Sequence, residues 1–281
     1  MTTNEEQKPN SRAKAWGVGI LVVVLAVLVV IVTVSIVSPN NNDNEDTAAP
    51  APAPETSAPP ADNDAAVDTS DQGWDASIAD VFGRNIKVPT NGVGNAIGKA
   101  QHIDSTQCDV DNAAKLTTQR TSGTQTVWSE NLGPSEVNTG GVPVGYSRSA
   151  EAALISAAND MALFYSGGDI SAEVAKARFS APNLDDLVAQ LEQGSEKDPN
   201  AEYQLAPSAF RITSCDQDRV IGDVALPMPT DATGDENAPA WTVLRLASVW
   251  EDNDWKTQIG SSPQPLEEEV TNLEGWTQWR Y

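Results

Sequence analysis

The sequence predicts an α+β fold carried on a single transmembrane helix. Three observations predict it. Trp16–Val37 is a run without a charged residue. Ala150, Ala153, Leu154, Ala157, Met161, Phe164 and Tyr165 recur at three- and four-residue spacing. After about residue 204 the apolar residues fall into short, strand-like runs. Helices followed by antiparallel strands specify helices packed on one face of a curved antiparallel sheet.

The first element is a polar stub, residues 1–15, in which Lys8, Arg12 and Lys14 outnumber Glu5 and Glu6. Residues 16–37 follow, from Trp16 to Val37. At ~1.5 Å per residue they make a helix of roughly 33 Å, matched to a hydrocarbon core of about 30 Å. A cleavable signal peptide has a shorter apolar region, ~7–15 residues, and a small-residue cleavage site. This run ends at Ser38-Pro39-Asn40 with no Ala-x-Ala, so it reads as a retained anchor. The whole chain carries −23, and the stub nets +1, so nearly all the acidity lies beyond the anchor. By the positive-inside rule the N-terminus is cytoplasmic and the C-terminal part extracytoplasmic in the cell membrane. An exterior this acidic lacks the Lys and Arg that phosphates require, which excludes nucleic acid as a partner.

Residues 38–72 hold Pro39, Pro50, Pro52, Pro54, Pro59 and Pro60 among Ala, Asn, Asp, Ser and Thr. Such a segment buries too little apolar area to offset its ordering entropy, and reads as a disordered extracytoplasmic linker. The outer domain then spans 73–281. Trp74, Ile78, Val81 and Phe82 are spaced for a helix over 75–82. Ile86–Pro89 leads into a turn-rich passage, and Thr124–Trp128 reads as a strand. Ser147 or Ser149 caps the helix that runs to Tyr165, and Gly167-Gly168 ends it. A second helix starts at Ser171. A third starts at Asn183, with Asp186 as its capping pair. Strands are expected over 209–213 and 219–226. Trp241–Trp250 and Trp255–Ile259 flank Glu251-Asp252-Asn253-Asp254, a four-residue hairpin turn.

The residues that carry chemistry are few. Cys108 and Cys215 both fall in the outer part, where an oxidising compartment pairs them in a disulfide. In the chain-entropy model that loop contributes ~4.7 kcal/mol. His102 is the one histidine, so no multi-histidine metal site forms, and it reads as a surface or cap residue. Gly92-x-Gly94-x-x-x-Gly98 misses the phosphate-loop spacing and reads as turn glycines. Asp109-x-Asp111-Asn112 and Asp216-x-Asp218 adjoin the cysteines but lack the rest of a calcium loop, and read as solvated turns. No cofactor is implied. Of the tryptophans beyond the anchor, Trp241, Trp250 and Trp255 sit in strands and read as core. Trp276 and Trp279 form a terminal pair placed to dock on the domain or on a partner, and are the candidate interaction residues.

Several motifs together resemble a known group. Gly141-Val142-Pro143-Val144-Gly145-Tyr146 runs into the helix Ala150–Phe164. Trp241-Thr242-Val243, Val249-Trp250-Glu251-Asp252-Asn253-Asp254-Trp255-Lys256 and Leu273-Glu274-Gly275-Trp276-Thr277-Gln278-Trp279 follow. Over roughly residues 80–281 the chain resembles single-pass envelope proteins of actinobacteria, mostly of unassigned function, some encoded near conjugation or secretion genes. The resemblance implies a nuclear-transport-factor-like (cystatin-like) α+β cone, shared with membrane-anchored type IV secretion subunits. Where that group has a Pro-His-Thr-like lead into the helix, this chain has Ser147-Arg148-Ser149, so a role for that histidine does not transfer.

The expected function is non-enzymatic: a bitopic protein with lipid bilayer around one helix and protein partners in the cell envelope, as an accessory or structural subunit of a conjugation- or secretion-type assembly. The alternative is a binding module for a wall glycan or small apolar ligand. An envelope hydrolase built on paired carboxylates comes third.

Overall fold

The computed structural model describes residues 73–231, 234–235, 238–260 and 267–281. The anchor Trp16–Val37, the stub and the linker lie outside the described residues. Among the described residues no helix is long and apolar enough to cross a membrane.

The domain opens with a four-stranded sheet of β1 (Trp74–Ala79), β2 (Asn85–Pro89), β3 (Thr117–Thr121) and β4 (Thr124–Trp128), in that order. β2 and β3 run parallel, and the other pairs are antiparallel. β1 corrects the helix expected over 75–82. The spacing of Trp74, Ile78, Val81 and Phe82 is helical, but Ile78, Val81 and Phe82 are exposed, so that stripe has nothing to pack on. The segment instead pairs with β2, with an irregular register between Asp75 and Ile78. β3 and β4 join through Ser122 and Gly123, both at positive φ, as a two-residue hairpin turn requires.

A small ribbon of β5 (Glu136–Val137) and β6 (Pro143–Val144) leads to the helices. These are α1 (Ala150–Tyr165), α2 (Asp169–Arg178) and, after β7 (Phe179–Ser180), α3 (Leu184–Glu192). Ser149 caps α1: its backbone is extended and its Oγ accepts from the Ala152 N–H at 3.2 Å. Asn183 makes no side-chain cap bond, contrary to the capping pair expected at α3.

Seven strands form the second sheet: β7, β8 (Ala209–Cys215), β9 (Arg219–Met228), β10 (Ala240–Glu251), β11 (Asp254–Gln258), β12 (Glu267–Val270) and β13 (Thr277–Gln278). The order is β13-β8-β9-β10-β11-β7, and β12 pairs with β10. All pairs are antiparallel except β11–β7.

α1 lies between the two sheets, packing on β4 and on β8 to β11. The sequence marks one apolar stripe, yet twelve of the sixteen residues of α1 are buried, because a sheet covers it on either side. Its many alanines bring both sheets close. Gly222 on β9 is the sharpest case: a Cβ there would meet Leu154 Cδ1 and Arg211 O at 2.8 Å. The larger core gathers Leu154, Ile155, Phe210, Val224, Trp255 and Trp279; a second, around Val142, Leu163, Val174 and Phe179, lies under α3.

Candidate functional site

The site is built around the β10–β11 hairpin. Glu251 and Asp254 form the last pair of the ladder, so the loop is Asp252-Asn253 alone, two residues rather than four. Both have positive φ, the geometry Asp and Asn tolerate best after glycine. The turn delivers Asp254 to the loop before α1. Its Oδ2 accepts from the Gly145 N–H at 2.8 Å and its Oδ1 from the Tyr146 N–H at 3.1 Å. Trp255 reinforces the junction, donating Nε1–H to the Ser147 carbonyl at 2.9 Å.

Behind Asp254 stands Arg178, at the end of α2 and 1% exposed. Its Nη1 donates to Asp254 Oδ2 at 2.6 Å, its Nε to Asp160 Oδ1 at 3.1 Å, and its Nη2 to Ser156 Oγ at 2.6 Å and to the Trp255 carbonyl. Thr257 Oγ1 donates to the other Asp160 oxygen at 2.7 Å. The Tyr146 ring packs against the guanidinium, 5.2 Å from Arg178 Cζ. Asn159, on the side of α1 toward the first sheet, accepts from the Val127 N–H and donates to the Val127 carbonyl, each at 2.8 Å, and donates to Tyr146 Oη at 3.0 Å. A side-chain amide thus satisfies both backbone groups of one residue of β4.

The electrostatics follow from burial. Desolvation pushes the Asp160 carboxyl up to about 6, against the pull of Arg178 and Thr257. Burial, and then the neighbouring Asp160, hold the Tyr146 phenol protonated well above its ordinary range. Burial works against the charge of Arg178, but Asp160 and Asp254 outweigh it and raise its pKa. Arg178 and Asp160 are closed to solvent. It locks α1, α2, the β10–β11 hairpin and the loop at Gly145 into one arrangement.

Above this lock lies a polar recess of about 240 Å³. Gln101, His102, Glu136, Arg148, Trp250 and Asn253 line it, with Gly145 and Tyr146 at its base. Arg148 lies 5.1 Å from the centre of the Trp250 ring and donates to Asp104 O, Gln217 O and Asp218 Oδ1.

The disulfide Cys108–Cys215 is present, with 5.8 Å between Cα atoms, and ties the 100–110 segment to the end of β8. His102 is exposed, 3.3 Å from Asp104. Among the described residues no group of three or more His, Cys, Asp and Glu gathers as a metal site. Gly92 and Gly94 have positive φ; a Cβ on Gly94 would strike Trp128 at 2.5 Å, so close packing on that ring requires glycine. Of the terminal pair, Trp279 docks on its own domain: it is buried, stacks on Phe210 at 4.6 Å and donates Nε1–H to Glu151 at 2.8 Å. Trp276 is half-buried under Arg211, 4.7 Å from its ring centre. Trp255 is fully buried, whereas Trp241 and Trp250 are only half-buried.

Sequence reasoning missed Arg178, Asp160, Asp254 and Asn159. One signal was there to be used: Asn159-Asp160 puts two adjacent polar residues in the middle of a mostly apolar helix. The two motifs around Gly145 and Asp254, read separately in the sequence, meet at this site. Residues 87–278 match the family model described as Domain of unknown function (DUF8175). The chain belongs to the DUF8175 family. No curated protein and no solved structure matches the chain. The DUF8175 region holds the whole buried lock, the recess and the disulfide, and leaves β1 and the Phe82–Arg84 turn outside it.

Proposed function

We propose that this protein is a non-enzymatic, bitopic component of the cell envelope, anchored by Trp16–Val37, whose outer domain recognises a protein partner. The role that fits is an accessory subunit of a conjugation- or secretion-type assembly, in line with the resemblance to actinobacterial envelope proteins. A helix laid across an antiparallel sheet is compatible with the nuclear-transport-factor-like cone which that resemblance implies. The observation that carries the reading is β1. Among the described residues it is the outer strand of its sheet, exposed from Asp75 to Ala79, and exposed Val81 and Phe82 follow it in the turn to β2. An open strand edge with adjoining apolar side chains is a template for strand addition, and soluble proteins normally blunt it. The test is site-specific photocrosslinking of the full chain in its native membrane. A photoreactive residue at position 81 is expected to give a discrete protein adduct that Phe82→Asp removes, while position 185 on α3 gives none. Equal adducts from both positions would sink the reading.

A second reading rests on the recess. An aromatic face with a carboxylate, amides and an imidazole is a set that stacks on and hydrogen-bonds a sugar. Titration of wall glycans should then change tryptophan fluorescence, and Trp250→Phe should remove the change; a flat titration excludes it.

A further inference from the structure

The recess has two walls, and the disulfide joins the segments that carry them. On one side stand Gln101, His102 and Ile103, on the other Arg148 and Trp250. The first wall is lightly held. The Gln101 N–H donates to the Asn131 carbonyl, and Gln107 pairs with the main chain of Arg148 and Ala150. Between them, residues 102–106 make no main-chain to main-chain hydrogen bond among the described residues. Two side-chain bonds hold that strap: Arg148 Nη1 donates to the Asp104 carbonyl at 3.0 Å, and Thr106 Oγ1 to the Gln217 carbonyl. Neither hydrophobic core takes a buried residue from 100–112, so the strap can move without dismantling either.

The second wall is fastened to the β8–β9 turn. The Trp250 N–H donates to the Asp218 carbonyl at 2.9 Å, and Arg148 Nη2 to the Gln217 carbonyl at 3.1 Å. Cys108 follows Gln107 at the end of the strap, and Cys215 ends β8 at the foot of that turn. Their bond is therefore the covalent link between the walls. Both cysteines are half-buried, and they are the two cysteines of the chain.

We infer that Cys108–Cys215 is a redox latch on the recess: oxidised, it holds the 101–107 strap against the β8–β9 turn; reduced, it releases the strap and uncovers Trp250. The exchange balances with a dithiol donor. One donor thiolate attacks a cysteine sulfur and the S–S bond breaks, and the second donor thiolate then displaces that sulfur. Two electrons and two protons end on Cys108 and Cys215 as thiols, and the donor leaves as a disulfide. This goes beyond both readings above, since the latch sets the width of the recess whatever occupies it.

The test is fluorine NMR of the full chain, labelled with fluorotryptophan and reconstituted in bilayer nanodiscs, before and after dithiothreitol. The Trp250 signal is assigned by its loss in Trp250→Phe. On reduction it is expected to shift and to be broadened more strongly by a soluble gadolinium chelate, while buried Trp128 and Trp279 keep their positions. Oxidised glutathione should restore the starting spectrum. The double variant Cys108→Ala, Cys215→Ala should show the reduced position without any reductant. A Trp250 signal that stays in place, with both thiols verified by mass spectrometry, overturns the inference. So does a shift of Trp128 and Trp279 along with it, which would make the bond a staple of the whole fold. No ligand enters the experiment, so its failure leaves the partner and glycan readings standing.

Discussion

Arg178 and Asp223 centre two charge clusters of opposite sign and opposite setting. Arg178 is a buried cation between Asp160 and Asp254, whose side chains are 1% and 13% exposed. Asp223 is a buried anion between Arg211 and Arg245, whose side chains are 40% and 31% exposed. The second cluster is a product of register: Arg211, Asp223 and Arg245 lie directly opposite one another on β8, β9 and β10. The first is a product of topology, assembled from α1, α2 and the β10–β11 hairpin. The chemistry is alike, but the desolvation differs. Removing the centre of the Asp223 cluster leaves two guanidiniums that reach water. Removing Arg178 leaves Asp160 facing Asp254 in the interior, without the cation between them.

The largest effect is therefore expected for Arg178→Met. It should cost about 3–5 kcal/mol in chemical denaturation, as breaking one side of a buried ion network does. A cost as low as that of the Asp223 variant would break the contrast. Next comes Thr257→Val, which keeps the volume but removes the hydroxyl that donates to Asp160. A loss of roughly 1.5–3 kcal/mol is expected, the range for hydrogen bonds to charged groups. Asp223→Asn should cost less than Arg178→Met, about 1 kcal/mol, because both of its partners keep part of their surface in water, and added salt should shrink the difference from wild type.

The smallest effect is the most diagnostic. The Asp160 pKa is raised from 3.8 to about 6 in the folded protein. Between those values the folded state holds the proton that the unfolded state has released, so this group makes stability fall as pH rises from about 4 to 6. The Asp223 pKa is lowered: burial acts to raise it, but the hydrogen bonds from Arg245 and Arg211 outweigh that. Its contribution is present above the ordinary carboxylate pKa and is lost as pH falls through the folded value. Melting temperature against pH should then have two slopes of opposite sign. Asp160→Asn should flatten the one above pH 4 and Asp223→Asn the one below it. A single slope that neither variant changes would show the two clusters to be electrostatically equivalent.

What could be read beforehand divides along the same line. The Ala150–Tyr165 helix, the strands from Ala209 to Gln258 and the Cys108–Cys215 pairing followed from patterns within a few residues or from compartment chemistry. The first sheet was harder. β3 is Thr-Thr-Gln-Arg-Thr, which reads as surface, yet Thr118, Gln119 and Thr121 are buried. Gln119 exchanges two hydrogen bonds with the backbone of Asn95, and Thr121 shares one with Thr126. Polar residues pass for core only once such partners are in place, and no periodicity announces them.

By itself, the sequence determined the elements whose signals are local: an apolar run long enough to span a bilayer, one alanine-rich helix, one hairpin turning within Glu251–Asp254 and two cysteines to pair. Tertiary structure alone decided that α1 is covered by a sheet on either side, that Arg178 has its two carboxylates, and that Trp279 faces inward while β1 is the outer strand of its sheet among the described residues. The reason is range. Helical and strand periods repeat within a few residues, whereas Arg178 meets Asp254 across 76 positions and Trp279 meets Glu151 across 128. Pairings at that distance exist only after the chain has closed, and the surfaces left unpaired are fixed at the same moment.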